Sequence, residues 1–170
     1  NASECMVLVE LLNTLRLSRI ALHARTGKQQ YKGHPDLEAF QGFYELCQHP
    51  LYYNGGIKSL SDIRQILIRF PLLKGVFIGR GLLSSPLLAK EFKGNETFLP
   101  EQRMSIYFAF HEELFSAYSQ VLQGETQLLV KMKTLWEYFL PETDRKLLKR
   151  IKKSTRLQQY TESVKAIFTS

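Results

Sequence analysis

Between Pro50 and Phe92 the chain repeats one pattern twice: an apolar run stops abruptly in glycines and gives way to a capped segment of helical period. In the first copy Leu51, Tyr52 and Tyr53 form the run and Asn54-Gly55-Gly56 the turn. Ser59 and Asp62 then make a capping box ahead of Ile63, Ile66, Leu67 and Phe70. In the second copy Val76-Phe77-Ile78 runs into Gly79-Arg80-Gly81, and Ser84-Ser85-Pro86 supplies an N-cap and a first-turn proline for Leu87, Leu88 and Phe92. Neither run alternates polar with apolar residues, so the pattern predicts strands covered on both faces, as in a parallel sheet with helical crossovers.

The same reading extends outward from this stretch. A helix is predicted over Ser3 to Leu15, with Val7, Leu8, Leu11, Leu12 and Leu15 on its apolar face, followed by a third strand over Arg19 to His23. His34-Pro35-Asp36 starts another helix, Leu37 to Cys47, with Phe40, Phe43, Tyr44 and Cys47 inward and His34 and His49 at the surface. From Asn95 onward only helical periods remain. One helix runs from Pro100 to Gln123, carries Ile106, Phe110, Leu114, Tyr118 and Val121, and ends at Gly124. A second, Glu125 to Leu140, is stopped by Pro141, and two more are capped by Thr143 and by Ser154 or Thr155. Trp136 and Tyr138 read as core aromatics. The predicted fold class is α/β followed by all-α: three parallel strand–helix units in residues 1–94, then a small helical bundle in residues 95–170.

Composition adds boundaries to this picture. With 170 residues, 44% of them hydrophobic, the chain can bury a core, which excludes a disordered tail. The sequence has no apolar stretch of transmembrane length and no signal peptide, so no membrane partner is predicted. Cys5 and Cys47 form neither a metal-ligand spacing nor a CxxC pair, which fits a reducing, cytoplasmic setting. The chain opens on Asn1-Ala2 without an initiator methionine, as a cleaved tag or a boundary inside a longer polypeptide would leave it. Charge is uneven: residues 131–170 hold ten Lys/Arg and four Asp/Glu, which is +6 of the chain's +7. The cluster Arg145, Lys146, Lys149, Arg150, Lys152 and Lys153 has the footprint of a polyphosphate partner, and also that of a solvated helix face.

The candidate chemistry lies in the glycine turns. Glycine lets backbone N–H groups approach a ligand closely, and successive N–H groups at the mouth of a helix favour an anion. Arg80 adds a planar fork suited to two phosphate oxygens. Two such turns on consecutive strands match the phosphate site that TIM barrels form after strands seven and eight. The same glycines also suit plain tight turns and helix caps, so both readings stand at this level. His23 ends the first strand, on the face where such barrels place binding groups, and it equally fits a structural histidine. Beyond it Arg25, Lys28, Gln30, Tyr31 and Lys32 mix cations, an amide and an aromatic, as a nucleic-acid contact or a solvated loop would.

In combination and order, HARTGKQQYKG at 23–33, YNGGI at 53–57 and GVFIGRGLLSSP at 75–86 resemble the tRNA-dihydrouridine synthases, FMN enzymes that reduce a uridine of tRNA with NADPH. The resemblance covers residues 3–168. It implies that His23 contacts the flavin ring, that Asn54, Gly55 and Gly56 form the strand-seven phosphate loop, and that Gly79 and Arg80 form the strand-eight phosphate grip. It implies that Arg25, Lys28, Gln30, Tyr31 and Lys32 face tRNA, and that Lys131, Lys133 and Arg150 lie in the domain that holds it. Many members have an acidic residue where Gly56 stands, so no side-chain role carries over to that position.

A complete barrel of this type takes eight strands and about 250 residues. By the resemblance, this chain corresponds to the last three strand–helix units and the helical domain. The first five strands, with the catalytic cysteine and part of the flavin site, would lie outside it. The fragment is therefore expected to be inactive alone and to self-associate through its uncovered strands. Two other readings remain at this level: a non-catalytic RNA-binding module, and part of another FMN- or phosphate-binding barrel oxidoreductase.

Overall fold

The computed structural model of the chain describes residues 2–29 and 32–169. Its elements run α1 (Ala2–Asn13), β1 (Ile20–His23), α2 (Leu37–Leu46), β2 (Leu51–Asn54), α3 (Leu60–Arg69), β3 (Gly75–Phe77), α4 (Arg80–Ser84), α5 (Leu88–Gly94), α6 (Pro100–Val121), α7 (Glu125–Leu135), α8 (Arg145–Lys153) and α9 (Leu157–Phe168). The three strands form a parallel sheet in the order β1-β2-β3, a mixed α/β architecture. Two compact units divide between Gly81 and Leu82.

In the first unit, local chemistry sets the helix starts. The Asp36 side chain accepts from Ala39 N–H at the head of α2, and Ser59 and Asp62 close the predicted capping box on α3. Satisfying those otherwise orphan donors is what directs each helix back over the sheet. The α2 and α3 side of the sheet is dry: Phe40, Tyr53 and Phe70 meet edge to face with centroids 4.9–5.0 Å apart, over Leu51, Ile63 and Ile66.

The other side of the sheet corrects the expectation of strands covered on both faces. Burial alternates along β1 and β2, and Phe77 on β3 is 45% exposed. Register places Ala21 with Tyr52, and His23 with Asn54 and Phe77, on this open face. The apolar runs were long enough to serve two covered faces, and this chain covers one.

The predicted face of α1 is also corrected. Val7, Leu8, Leu11 and Leu15 are exposed, whereas Val9 is fully buried and α1 packs on α2. The helix is apolar on most sides, so its period could not choose between them. His49, expected at the surface, is half-buried and its Nε2 lies 2.9 Å from the Leu12 carbonyl, tying the end of α1 to the turn after α2. Cys47, expected as core, is only partly buried and is the C-cap of α2.

Beyond β3 the helix starts shift as well. Arg80 and Gly81 already belong to α4, and α5 begins at Leu88 with Leu87 as an N-cap that has no side-chain bond. Ser85, expected as a cap, shares a 2.6 Å hydrogen bond with the Tyr107 hydroxyl instead. Arg103 donates to that same hydroxyl at 3.3 Å and to the buried Glu91 carboxylate.

The second unit is helical from α5 on, around a core that includes Met132, Trp136, Phe139, Ile151 and Tyr160. On α6 the fully buried positions are Tyr107 and His111, one step round from the predicted stripe, and Val121 is 73% exposed. Gly124, expected to end α6, takes φ +85° as the N-cap of α7, and Asp144 rather than Thr143 caps α8 through Lys146 and Leu147 N–H. Ser154 ends α8 and Arg156 precedes α9, so neither Ser154 nor Thr155 is the N-cap of that helix. Trp136 is core as predicted, while Tyr138 is exposed.

Candidate functional site

Parallel strands leave their C-terminal ends on one edge of the sheet, where the chain must turn sharply and where side chains of successive strands come level. His23, Asn54 and Phe77 are aligned there by register, each the last residue of its strand. They line a pocket of about 240 Å³ together with Gly55, Gly56, Gly79 and Arg80. All six residues assigned from sequence to a cofactor therefore meet in one place.

The glycines have physical reasons to be there. Gly56 has φ +66°, which strains any L side chain, and a Cβ on it would stand 3.0 Å from Pro35. A Cβ on Gly81 would collide with the Ile57 carbonyl oxygen, so the start of α4 lies directly on the loop after β2. That contact keeps the two glycine turns side by side. Gly79, by contrast, faces open space.

The donor set is one-sided. The lining residues carry backbone N–H groups, the Asn54 amide, an imidazole and the Arg80 guanidinium, and none of them carries a carboxylate. Such a set suits a phosphate monoester. Behind the turn, burial pushes the Tyr53 phenol up to about 12, with Arg25 opposing and Asp62 adding to the shift, so this hydroxyl stays protonated. Lys58 and Ile57 also line the pocket, as does Phe77, held edge-on by Tyr52 with centroids 5.6 Å apart. Sequence reasoning missed all three as site residues. Phe77 was legible only as the end of a strand, and Lys58 only as the residue before the capping box.

The loop residues fare differently. Arg25 is turned back on its own loop, donating from Nη1 to the Lys32 carbonyl and from Nη2 to the Gly33 carbonyl, both at 2.8 Å. Lys28 and Lys32 are exposed, and Gln30 and Tyr31 lie outside the described residues. In the second unit the Lys131 ammonium stands 5.5 Å from the Tyr118 ring centroid. Lys133 donates to the Ser154 carbonyl at 2.9 Å, and Arg150 is exposed on α8. The six cations of α8 lie in solvent while Ile151 is fully buried, so the helix shows a basic outer face.

The class is that of an α/β unit with a pocket at the carboxyl ends of its parallel strands, the edge where such sheets carry their binding loops. The chain belongs to the dihydrouridine synthase family, whose family model matches residues 2–169. It is 35% identical over 86 residues to a probable tRNA-dihydrouridine synthase of Aquifex aeolicus (strain VF5), an alignment covering 51% of this chain and 27% of that protein. A probable tRNA-dihydrouridine synthase of Rhizobium leguminosarum bv. phaseoli is 34% identical over 67 residues, covering 39% of this chain and 21% of that one. The chain thus matches about a quarter of the length of these curated relatives.

Proposed function

We infer that this chain is the C-terminal part of a tRNA-dihydrouridine synthase: residues 1–94 the last three strand–helix units of a TIM barrel, residues 95–170 a helical bundle that holds tRNA. The observation that carries this reading is the convergence of both glycine turns with His23 and Arg80 on one pocket. FMN is the cofactor we assign to it, and when bound it supplies hydride chemistry to a uracil ring, with NADPH as the source of electrons.

The chain's own residues bind and orient. Backbone N–H groups of Gly55, Gly56 and Gly79 and the Arg80 guanidinium hold the phosphate, Asn54 sets the turn, and His23 faces the flavin from the end of β1. The volume, about 240 Å³, falls below the roughly 300–1,000 Å³ of pockets that enclose a whole ligand of this size. It accommodates the phosphate end and leaves the ring to elements of the first five strands. Cys5 lies on α1, where it lines a pocket with His23 and Arg25 at the end of β1, and Cys47 caps α2; neither stands at the position of the family's catalytic cysteine, which we place outside this chain. On this reading the chain alone is inactive.

Lys28, Lys32, Lys131 and Arg150 present charge to tRNA, with Gln30 and Tyr31 from the same loop. Arg25 and Lys133 serve that surface by shaping it, through the carbonyls they hold. Among the described residues no helix is long and apolar enough to cross a membrane, and we assign the protein to the cytoplasm. The open sheet face and the edges of β1 and β3 are expected to pair with a second copy when nothing else covers them, which light scattering reads directly.

The test uses a chain extended to carry the whole barrel. There, Arg80→Ala weakens FMN binding by about 10- to 100-fold, the worth of a charge-assisted pair, and leaves riboflavin binding unchanged. Equal loss for both ligands would refute the phosphate assignment. RNA binding with no flavin binding at all would favour the non-catalytic module.

A further inference from the structure

Among the described residues, a deeply buried polar cluster lies in the second unit, outside the proposed site. His111 of α6 is 1% exposed, Tyr160 of α9 is fully buried, and Trp136 at the end of α7 is 2% exposed. The Tyr160 hydroxyl oxygen lies 2.7 Å from His111 Nε2 and 2.9 Å from Trp136 Nε1, and His111 Nδ1 lies 3.0 Å from a Glu112 carboxylate oxygen. Three helices therefore meet at one hydroxyl.

The proton positions follow from what each group can do. An indole N–H only donates, so the Tyr160 oxygen accepts from Trp136. Its own proton then goes to His111 Nε2, which must be a bare acceptor. The remaining ring proton sits on Nδ1 and is donated to Glu112, which is half exposed. Every donor has one acceptor, and the scheme works only for a neutral imidazole.

We propose that His111 is a proton-operated latch: taking up a second proton unlocks the junction of α6, α7 and α9. The proton comes from solvent and adds to Nε2, turning that nitrogen from acceptor to donor. Two donors, Trp136 Nε1 and His111 Nε2, then face the Tyr160 oxygen, and the phenolic proton loses its acceptor. An unsatisfied polar group and a charge are left in a dry core, the costliest combination available there.

Few groups oppose this. The titratable groups touching His111 are Glu112 on its own helix and Tyr160 from α9; Trp136 from α7 is neutral. Glu112 favours the charged ring by hydrogen bond and charge, but burial dominates and pushes the His111 pKa down. The rings of Phe115, Tyr160 and Trp136, at 5.8–6.4 Å, offset the charge only in part. Ile151 of α8 sits in the same core, so the basic helix is anchored to the latch.

The sign is fixed by linkage. The unfolded chain takes up this proton at about pH 6.5, while the folded chain takes it up only at lower pH. The latch's stabilisation is complete above the unfolded value and is lost as pH falls towards the folded one. Trp136 is the chain's single tryptophan and reports on the junction directly.

The experiment follows Trp136 emission and Tm of the intact chain from pH 8 to pH 5. Wild type should show an emission change and a loss of roughly 5 °C or more, with the midpoint below 6.5. His111→Gln, which accepts a hydrogen bond but does not titrate, should be flat over the range. Should that variant not fold, the surface change Glu112→Gln serves instead, and it should move the wild-type midpoint to lower pH. A wild type without a transition, a His111→Gln variant that keeps one, or a Glu112→Gln midpoint that stays in place overturns the proposal.

Discussion

The two units handle polar groups in opposite ways. In the first, the polar residues that matter stand at the ends of strands, beside glycines, with one sheet face left open. In the second, His111, Ser163 and Glu91 are sealed inside, and the charges that could meet a partner are all outside, on α8 above all. A site at the ends of strands keeps its polar groups near solvent, where a ligand could reach them. A unit that presents a surface spends its buried hydrogen bonds on holding that surface still.

The comparison breaks most visibly in the helical core. Phe139→Ala, which removes a fully buried ring against Trp136 at 5.3 Å, should cost about 3–5 kcal/mol and unfold the second unit first, as Trp136 emission in urea would read. If both units melted together, the division between Gly81 and Leu82 would be geometric only.

Gly81→Ala is the corresponding probe of the first unit. Its Cβ must displace the Ile57 backbone, at a cost of about 1–3 kcal/mol, and the two glycine turns should move apart. In a chain carrying the whole barrel, FMN retention should fall while RNA affinity holds. Unchanged flavin content would mean the turns bind independently.

The smallest effect on stability should come from α8. Lys149→Ala with Arg150→Ala should change stability by less than about 0.5 kcal/mol, since both side chains are in solvent. The slope of tRNA affinity against salt should nonetheless flatten by about 2. A preserved slope would move the RNA surface elsewhere.

Much of the first unit was legible because its signals are local. A capping box, a glycine pair and an apolar run each act within a few residues, and Ser59, Asp62, Gly55 and Gly56 do what their spacing announced. The faces of α1 and α6 were not legible. Both helices are apolar on several sides, so neighbours far along the chain chose Val9 over Val7, and Tyr107 and His111 over Ile106 and Phe110. Arg25 and Lys133 look like surface cations in sequence, and only folding brings them the carbonyls of Gly33 and Ser154.

By itself the amino-acid order determined where strands end to within a residue, where most helices of the first unit start, and that glycines and an arginine follow the strands. These depend on backbone conformations and side-chain reaches of a few residues. Only tertiary structure decided that the two glycine turns share one pocket, that Gly81 is required by a carbonyl 24 positions away, and that three distant residues form a single hydrogen-bonded junction. Packing compares whole surfaces at once, and no window of sequence carries that comparison.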